Sequence, residues 1–163
     1  MFRPMRRKKQ QLSDAETIEI LKRGKQGILG LNGDDGYPYA VPVNYAYSNG
    51  KIIFHGAKSG YKYDCMVRDD RVAFTVIDKD DVIAEELTTY FRSVMVFGRV
   101  RIIEDPEEMR SSAYIFGMKY WDNDEGVKKE IERELKGLAC FEITIEHMTG
   151  KEAIELTRAR QEV

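Results

Sequence analysis

The chain has 163 residues, 42% hydrophobic and 33% charged, the make-up of one soluble globular domain able to bury its own core. Lys and Arg total 26 and Asp and Glu 28, a formal net charge of −2, which argues against a dedicated nucleic-acid binder but leaves room for a local basic pocket. The two cysteines, Cys65 and Cys140, lie far apart, as do His55 and His147; no metal spacing exists, and the cysteines read as buried free thiols.

The basic start, Met1 to Lys9, is followed by no apolar run, so it does not read as a secretory signal. No segment approaches the roughly 20 apolar residues of a membrane helix, and a cytoplasmic location is expected. The first helix begins at Ser13, where Ser13-Asp14-Ala15-Glu16 forms a capping box, and Gly24 ends it. Gly27–Leu31 reads as a short strand, residues 32–36 as a turn, and Tyr37–Tyr47 as a second strand with alternating Tyr39, Val41, Val43, Tyr45 and Tyr47. Ser48-Asn49-Gly50 turns the chain into a third strand, Lys51–His55.

A short helix is expected over Ser59–Arg68 and a fourth strand over Val72–Ile77. An acidic loop, Asp80–Leu87, leads to a long strand, Thr88–Ile103, which Gly98 interrupts as a bulge or bend. Asp105-Pro106-Glu107-Glu108 starts a helix carrying Met109, Ala113, Phe116 and Tyr120, and Asp124–Lys136 continues as another. Leu138–Ile145 is the last strand, His147 beyond it reads as structural or exposed, and the polar tail from Lys151 should fray. The expected architecture is α+β: a single domain over 1–163, with flexible ends at about 1–10 and 151–163, built on six antiparallel strands.

Three segments carry candidate chemistry. A dinucleotide fingerprint, a P-loop and a nucleophile elbow are all missing. In Tyr39-Ala40-Val41-Pro42-Val43-Asn44-Tyr45, a proline inside a strand pattern marks either an edge or backbone offered to a flat ligand. In Phe54-His55-Gly56-Ala57-Lys58-Ser59-Gly60-Tyr61-Lys62, a strand passes through small residues into a helix start flanked by two lysines. They are either solvated or an anion site, and a helical turn would let both reach one phosphate. Thr88–Gly98 brings polar, aromatic and cationic groups into a buried strand, with Arg92 either in a surface ion pair or at a ligand.

Taken in order, GDDGYPYAVPVNY, FHGAKSGYKYD and TTYFRSVMVFGRVRIIED resemble the nitroimidazole-resistance (Nim-type) flavin-binding proteins of the pyridoxamine-phosphate-oxidase-like split barrels, over roughly Arg6 to Ile145. The resemblance implies a six-stranded split β-barrel with peripheral helices that dimerises and binds FMN at the subunit interface. It implies that Val41, Pro42, Val43, Asn44 and Tyr45 lie along the flavin ring, and that His55, Gly56, Ala57 and Lys58 pass beside the ring and ribityl chain. Lys58, Ser59 and Lys62 would hold the phosphate, and Arg92, Ser93 and Val94 would approach the cofactor from the strand bordering the interface. Tyr90 and Trp121 are weaker candidates for closing the pocket from the partner.

His55 matches a histidine that the family associates with nitro-group reduction, so it is a candidate proton donor or anion stabiliser, or else a simple hydrogen-bonding group. The implied activity is FMN-dependent reduction of small electron-poor aromatic compounds such as nitroimidazoles. The alternatives are a non-catalytic flavin or haem carrier and a pyridoxamine-phosphate-oxidase-like enzyme. The arginine and histidine pattern by which true pyridoxamine-phosphate oxidases grip substrate phosphate is not evident.

Overall fold

The computed structural model of the chain describes residues 1–161. Helix α1 (Asp14–Arg23) starts as expected: the Glu16 amide donates to Ser13 Oγ at 3.3 Å and the Ser13 amide donates to Glu16 Oε2 at 2.8 Å. Strands β1 (Gln26–Asn32), β2 (Pro38–Asn44), β3 (Ala46–Ser48) and β4 (Lys51–Ala57) follow, then α2 (Tyr61–Arg68). The long hairpin of β5 (Arg71–Ile83) and β6 (Thr88–Ile103) precedes α3 (Pro106–Tyr120), α4 (Asp124–Glu134), β7 (Leu138–Glu152) and α5 (Ile154–Gln161).

All paired strands are antiparallel and form one sheet in the order β2-β1-β5-β6-β7-β4-β3. The fold is α+β, but with seven strands rather than six. The expected second strand breaks at Tyr45, because residues before it pair with β1 and residues after it pair with β4. The two end strands of the sheet are thus joined through a single residue, so the sheet must curl until its ends meet. No ladder between β2 and β3 closes it among the described residues.

Three further expectations need correction. The segment over 80–87 is not a free loop: Asp80–Ile83 pairs with Thr88–Phe91, because the hairpin ladder continues past a register shift between Ile77 and Lys79. The last strand runs on to Glu152, because β6 is long enough to pair with all of it. Of the tail expected over 151–163, residues 151–161 pack instead, because buried Ala153 and Thr157 anchor α5 and Arg160 pairs with Glu152 and Glu16; residues 162 and 163 lie outside the described residues. The start is tied down too: Gln11 bridges to Lys151, and Gln10 is buried.

The core fills the inside of the curled sheet with Leu29, Tyr45, Phe54, Phe74, Val96 and Phe141 among others. Each large apolar side chain stabilises it by roughly 1.5–3 kcal/mol. Phe54 and Phe141 stack at 5.0 Å between ring centres. Gly98 sits at a register shift between β6 and β7, where a Cβ would collide with the Thr144 carbonyl; the expected bulge is present. Cys65 and Cys140 are free and buried, and burial pushes the Cys140 thiol up to about 11.

Candidate functional site: a split between two strand edges

The break at Tyr45 creates the most unusual feature of the sheet. β3 covers the edge of β4 only over Lys51–Ile53. Beyond that, Phe54–Ala57 pairs with β7 on one side and with nothing on the other. β2 likewise pairs only with β1. Two strand edges therefore diverge from Tyr45 and leave backbone N–H and C=O groups unpaired by any ladder, and such groups seek partners. Pro42 lies on this free edge, where a missing donor costs the ladder nothing.

The mouth of the split is built by the turn after β4. Gly60 adopts φ +106°, a conformation that disfavours other residues, and α2 starts directly after it. No side chain caps this helix, so its first-turn amides remain open to an anion. Tyr61 stacks on Tyr39 of β2 at 4.6 Å, and the Asp34 amide donates to its hydroxyl at 2.6 Å. This ties α2 to the opposite wall. The Lys62 ammonium lies over Gly56, within 3.4 Å of where a Cβ would sit. The turn from Lys58 to Gly60 is not helical, so the two lysines do not stand one helical turn apart; Lys58 instead donates to the Lys136 carbonyl at 2.7 Å.

Helix α3 straps the apex. The Tyr120 hydroxyl donates to the Tyr45 carbonyl at 2.6 Å, and Lys119 donates to the carbonyls of Tyr45, at 3.0 Å, and Gly24. Burial lowers the Lys119 ammonium to about 8. Phe116 packs on His55 with ring centres 4.6 Å apart. His55 points away from the sheet interior toward α3, its Nε2 is buried without a hydrogen-bond partner, and desolvation lowers it to about 4. At neutral pH it is therefore an uncharged imidazole. Beside it, between α3 and α4, lies a cavity of about 310 Å³ lined by Phe116, Tyr120, Trp121, Val127 and Ile131 among others. Neither this cavity nor the strapping role of Lys119 and Tyr120 was read from the sequence, where both residues looked like ordinary positions late in an amphipathic helix.

The other expected site residues divide. Val41, Pro42 and Asn44 line the free edge and are at least partly exposed, and Asn44 Nδ2 donates to the Lys25 carbonyl at 3.0 Å. The side chains of Val43 and Tyr45 are buried in the core, and their backbone groups are engaged too: Val43 pairs with Gly27 of β1, and the Tyr45 amide and carbonyl meet Lys25, Lys119 and Tyr120. Gly56, Ala57 and Ser59 flank the mouth. Arg92 is not at the split: it donates to Glu152 at 3.2 Å and approaches Asp78 at 3.5 Å, and it lines a separate hollow of about 610 Å³ against α1. Val94 is wholly buried, and Ser93 pairs with Ile77 and Lys151. Val94 packs in the same core as Val43, Tyr45 and Phe54, whereas the Arg92 side chain pairs with Glu152 and Asp78. Tyr90 donates to Glu86 at 2.9 Å, and His147 stacks on Phe2 at 4.8 Å. Among the described residues, no group of three or more His, Cys, Asp or Glu could hold a metal ion, and no helix is long and apolar enough to cross a membrane.

No curated protein matches the chain significantly. Among solved structures, it is similar to a conserved hypothetical protein of Mycobacterium tuberculosis (TM-score 0.79, 21% identity, covering 91% of this chain and 90% of that one). It is similar to a candidate 5-nitroimidazole antibiotic resistance protein of Bacteroides thetaiotaomicron (TM-score 0.72, 23% identity, 87% and 86% covered). A third is an FAD-binding protein of Mesorhizobium loti (TM-score 0.64, 26% identity, 88% and 96% covered). The family model described as pyridoxamine 5'-phosphate oxidase matches residues 13–152. With the curled antiparallel sheet and most of the chain inside that match, this protein belongs to the pyridoxamine 5'-phosphate oxidase family.

Proposed function

We propose that the chain binds FMN in the split, works as a homodimer, and reduces small electron-poor aromatic compounds such as nitroimidazoles. The observation that carries this reading is the uncapped start of α2 at the mouth of the split, with Ser59 just before it and the Lys62 ammonium beside Gly56; Lys58, which donates to the Lys136 carbonyl, would turn to join them. A phosphate is the ligand that such a terminus suits. The side of the β2 edge that faces away from β1, at Pro42 and Asn44, supplies backbone groups for the polar rim of a flat ring. When bound, FMN supplies the electron transfer; the chain's own residues bind and orient it. His55 enters as a neutral acceptor, not as a resident acid.

A dimer is supported by the outer face of the sheet. Ile28, Thr75 and Met95 stand in one row across β1, β5 and β6, with Ala73 and Phe97 in the next. Ile28, Ile77, Met95 and Phe97 expose 36–63% of their surface, and exposed apolar rows of this kind mark contact surfaces. In this reading Ser93, on the same face, reaches the cofactor of the partner subunit.

Replacing both Lys58 and Lys62 with Ala should weaken FMN binding at least a hundredfold, since charge-assisted bonds contribute about 1.5–3 kcal/mol each. Unchanged affinity would reject this placement. A second reading, a flavin carrier without rapid turnover, is favoured by one observation: Phe116 covers His55 and leaves Nε2 unreachable. Turnover of a nitroaromatic with a chemical reductant separates the two. Titration with FAD beside FMN tests which flavin the split takes.

A further inference from the structure

The cavity between α3 and α4 shares His55 with the flavin reading proposed above but no other residue. Its wall is almost wholly apolar: Phe116, Trp121, Val127 and Ile131 contribute rings and branched side chains, and Glu130 and Glu134 stand at its rim. At about 310 Å³ it falls at the lower end of small-molecule sites. One polar group lies on its sheet side. His55 Nε2 is buried and has no partner, and leaving such a group unpaired costs about 1–3 kcal/mol. The ring packed on His55 belongs to Phe116, which itself lines the cavity. His55 lines the cavity together with Phe116.

With the proton of the neutral imidazole on Nδ1, Nε2 is an acceptor, and an apolar hollow with one buried acceptor selects a particular ligand. Apolar cavities of this kind take up aromatic molecules from water. The lone acceptor adds a preference for a ligand with one O–H or N–H group, because the bond it makes satisfies an atom that otherwise stays orphaned. Glu130 and Glu134 are both paired with Arg133, and no lysine or arginine lines the cavity to receive an anion. We propose that the α3–α4 cavity binds a small neutral aromatic molecule bearing a single hydrogen-bond donor, a phenol or an indole-type N–H, whose donor is received by Nε2 of His55.

The test uses Trp121, the only tryptophan in the chain and part of the cavity wall. Its fluorescence would be followed as phenol or toluene is added to the full-length protein, as purified and again with FMN present. Both should bind, and the ratio of phenol to toluene affinity should fall about tenfold in His55→Phe, the worth of roughly one buried hydrogen bond. Ile131→Phe, which narrows the cavity and leaves His55 in place, should weaken both ligands in parallel. An unchanged ratio in His55→Phe would overturn the role of Nε2. No saturable response to either compound, or equal binding in Ile131→Phe, would overturn the site itself.

Discussion

Tyr120 holds both backbone groups of Tyr45: its hydroxyl donates to the Tyr45 carbonyl at 2.6 Å and accepts from the Tyr45 amide at 3.2 Å. The same hydroxyl lies 2.7 Å from the Lys25 carbonyl. Tyr45 is where the chain leaves one edge of the sheet for the other; its amide reaches the Lys25 carbonyl only at 3.3 Å and its carbonyl has no strand partner. Side chains of α3, Tyr120 and Lys119, complete both groups.

Tyr120→Phe should therefore destabilise the fold by about 1–2 kcal/mol, although it removes only one oxygen. Urea unfolding of the two proteins measures this. A loss below a few tenths of a kcal/mol would mean that water replaces the phenol at the apex.

Arg92 stands between a structural and a cofactor role, and Glu152 decides it. Glu152 is wholly buried and is met by Arg92, Arg160 and Thr157. Arg92→Ala should cost about 3 kcal/mol, because it strips a partner from a buried carboxylate. Adding Glu152→Gln should restore part of that loss. If the double variant is no more stable than the single one, the guanidinium acts elsewhere.

His55 predicts a pH dependence with a definite sign. Its folded-state value is lowered from 6.5 to about 4 by desolvation. Between these values the unfolded chain binds more protons than the folded one, so stability should rise with pH through that window and be lost as pH falls from 6.5 to 4. The full effect is on the order of 3 kcal/mol. Unfolding curves of the wild type and His55→Phe at pH 4.5 and 7 should show the slope in the first and little of it in the second.

Gly98→Ala tests the bulge. A methyl group there meets the Thr144 carbonyl and Ile143, both held in β7, so the ladder must shift. A loss of about 1–3 kcal/mol is expected, read as a lower urea midpoint; a neutral change would mean that the bulge moves freely.

Much of the scaffold was legible in local chemistry. The Ser13 capping box, the Asp105-Pro106 start of α3 and the Gly98 bulge all lie where short-range rules put them, because each satisfies its own backbone within a few residues. What could not be read was long-range. Tyr45 sits inside an unbroken alternation, and nothing local tells it to change partners. The lengths of β5 and β7 are set by how far β6 can pair. Arg92 looked like a ligand group because its acidic partner, Glu152, is 60 positions away. Lys119 and Tyr120 carried no signal, since their role depends on carbonyls that only the fold brings to them. Around the candidate site, the free edges of β2 and β4 diverge from Tyr45, and the Arg92 side chain pairs with Glu152 and Asp78.

The central claim is a phosphate-anchored flavin in the split, and a spectral titration that compares FMN with riboflavin tests it most directly. The two share the ring and differ in the phosphate. The account predicts a bound-flavin spectrum at about one FMN per chain, with riboflavin at least tenfold weaker as charge-assisted bonds at α2 are lost. Equal affinity for the two, or no binding of either, would contradict it.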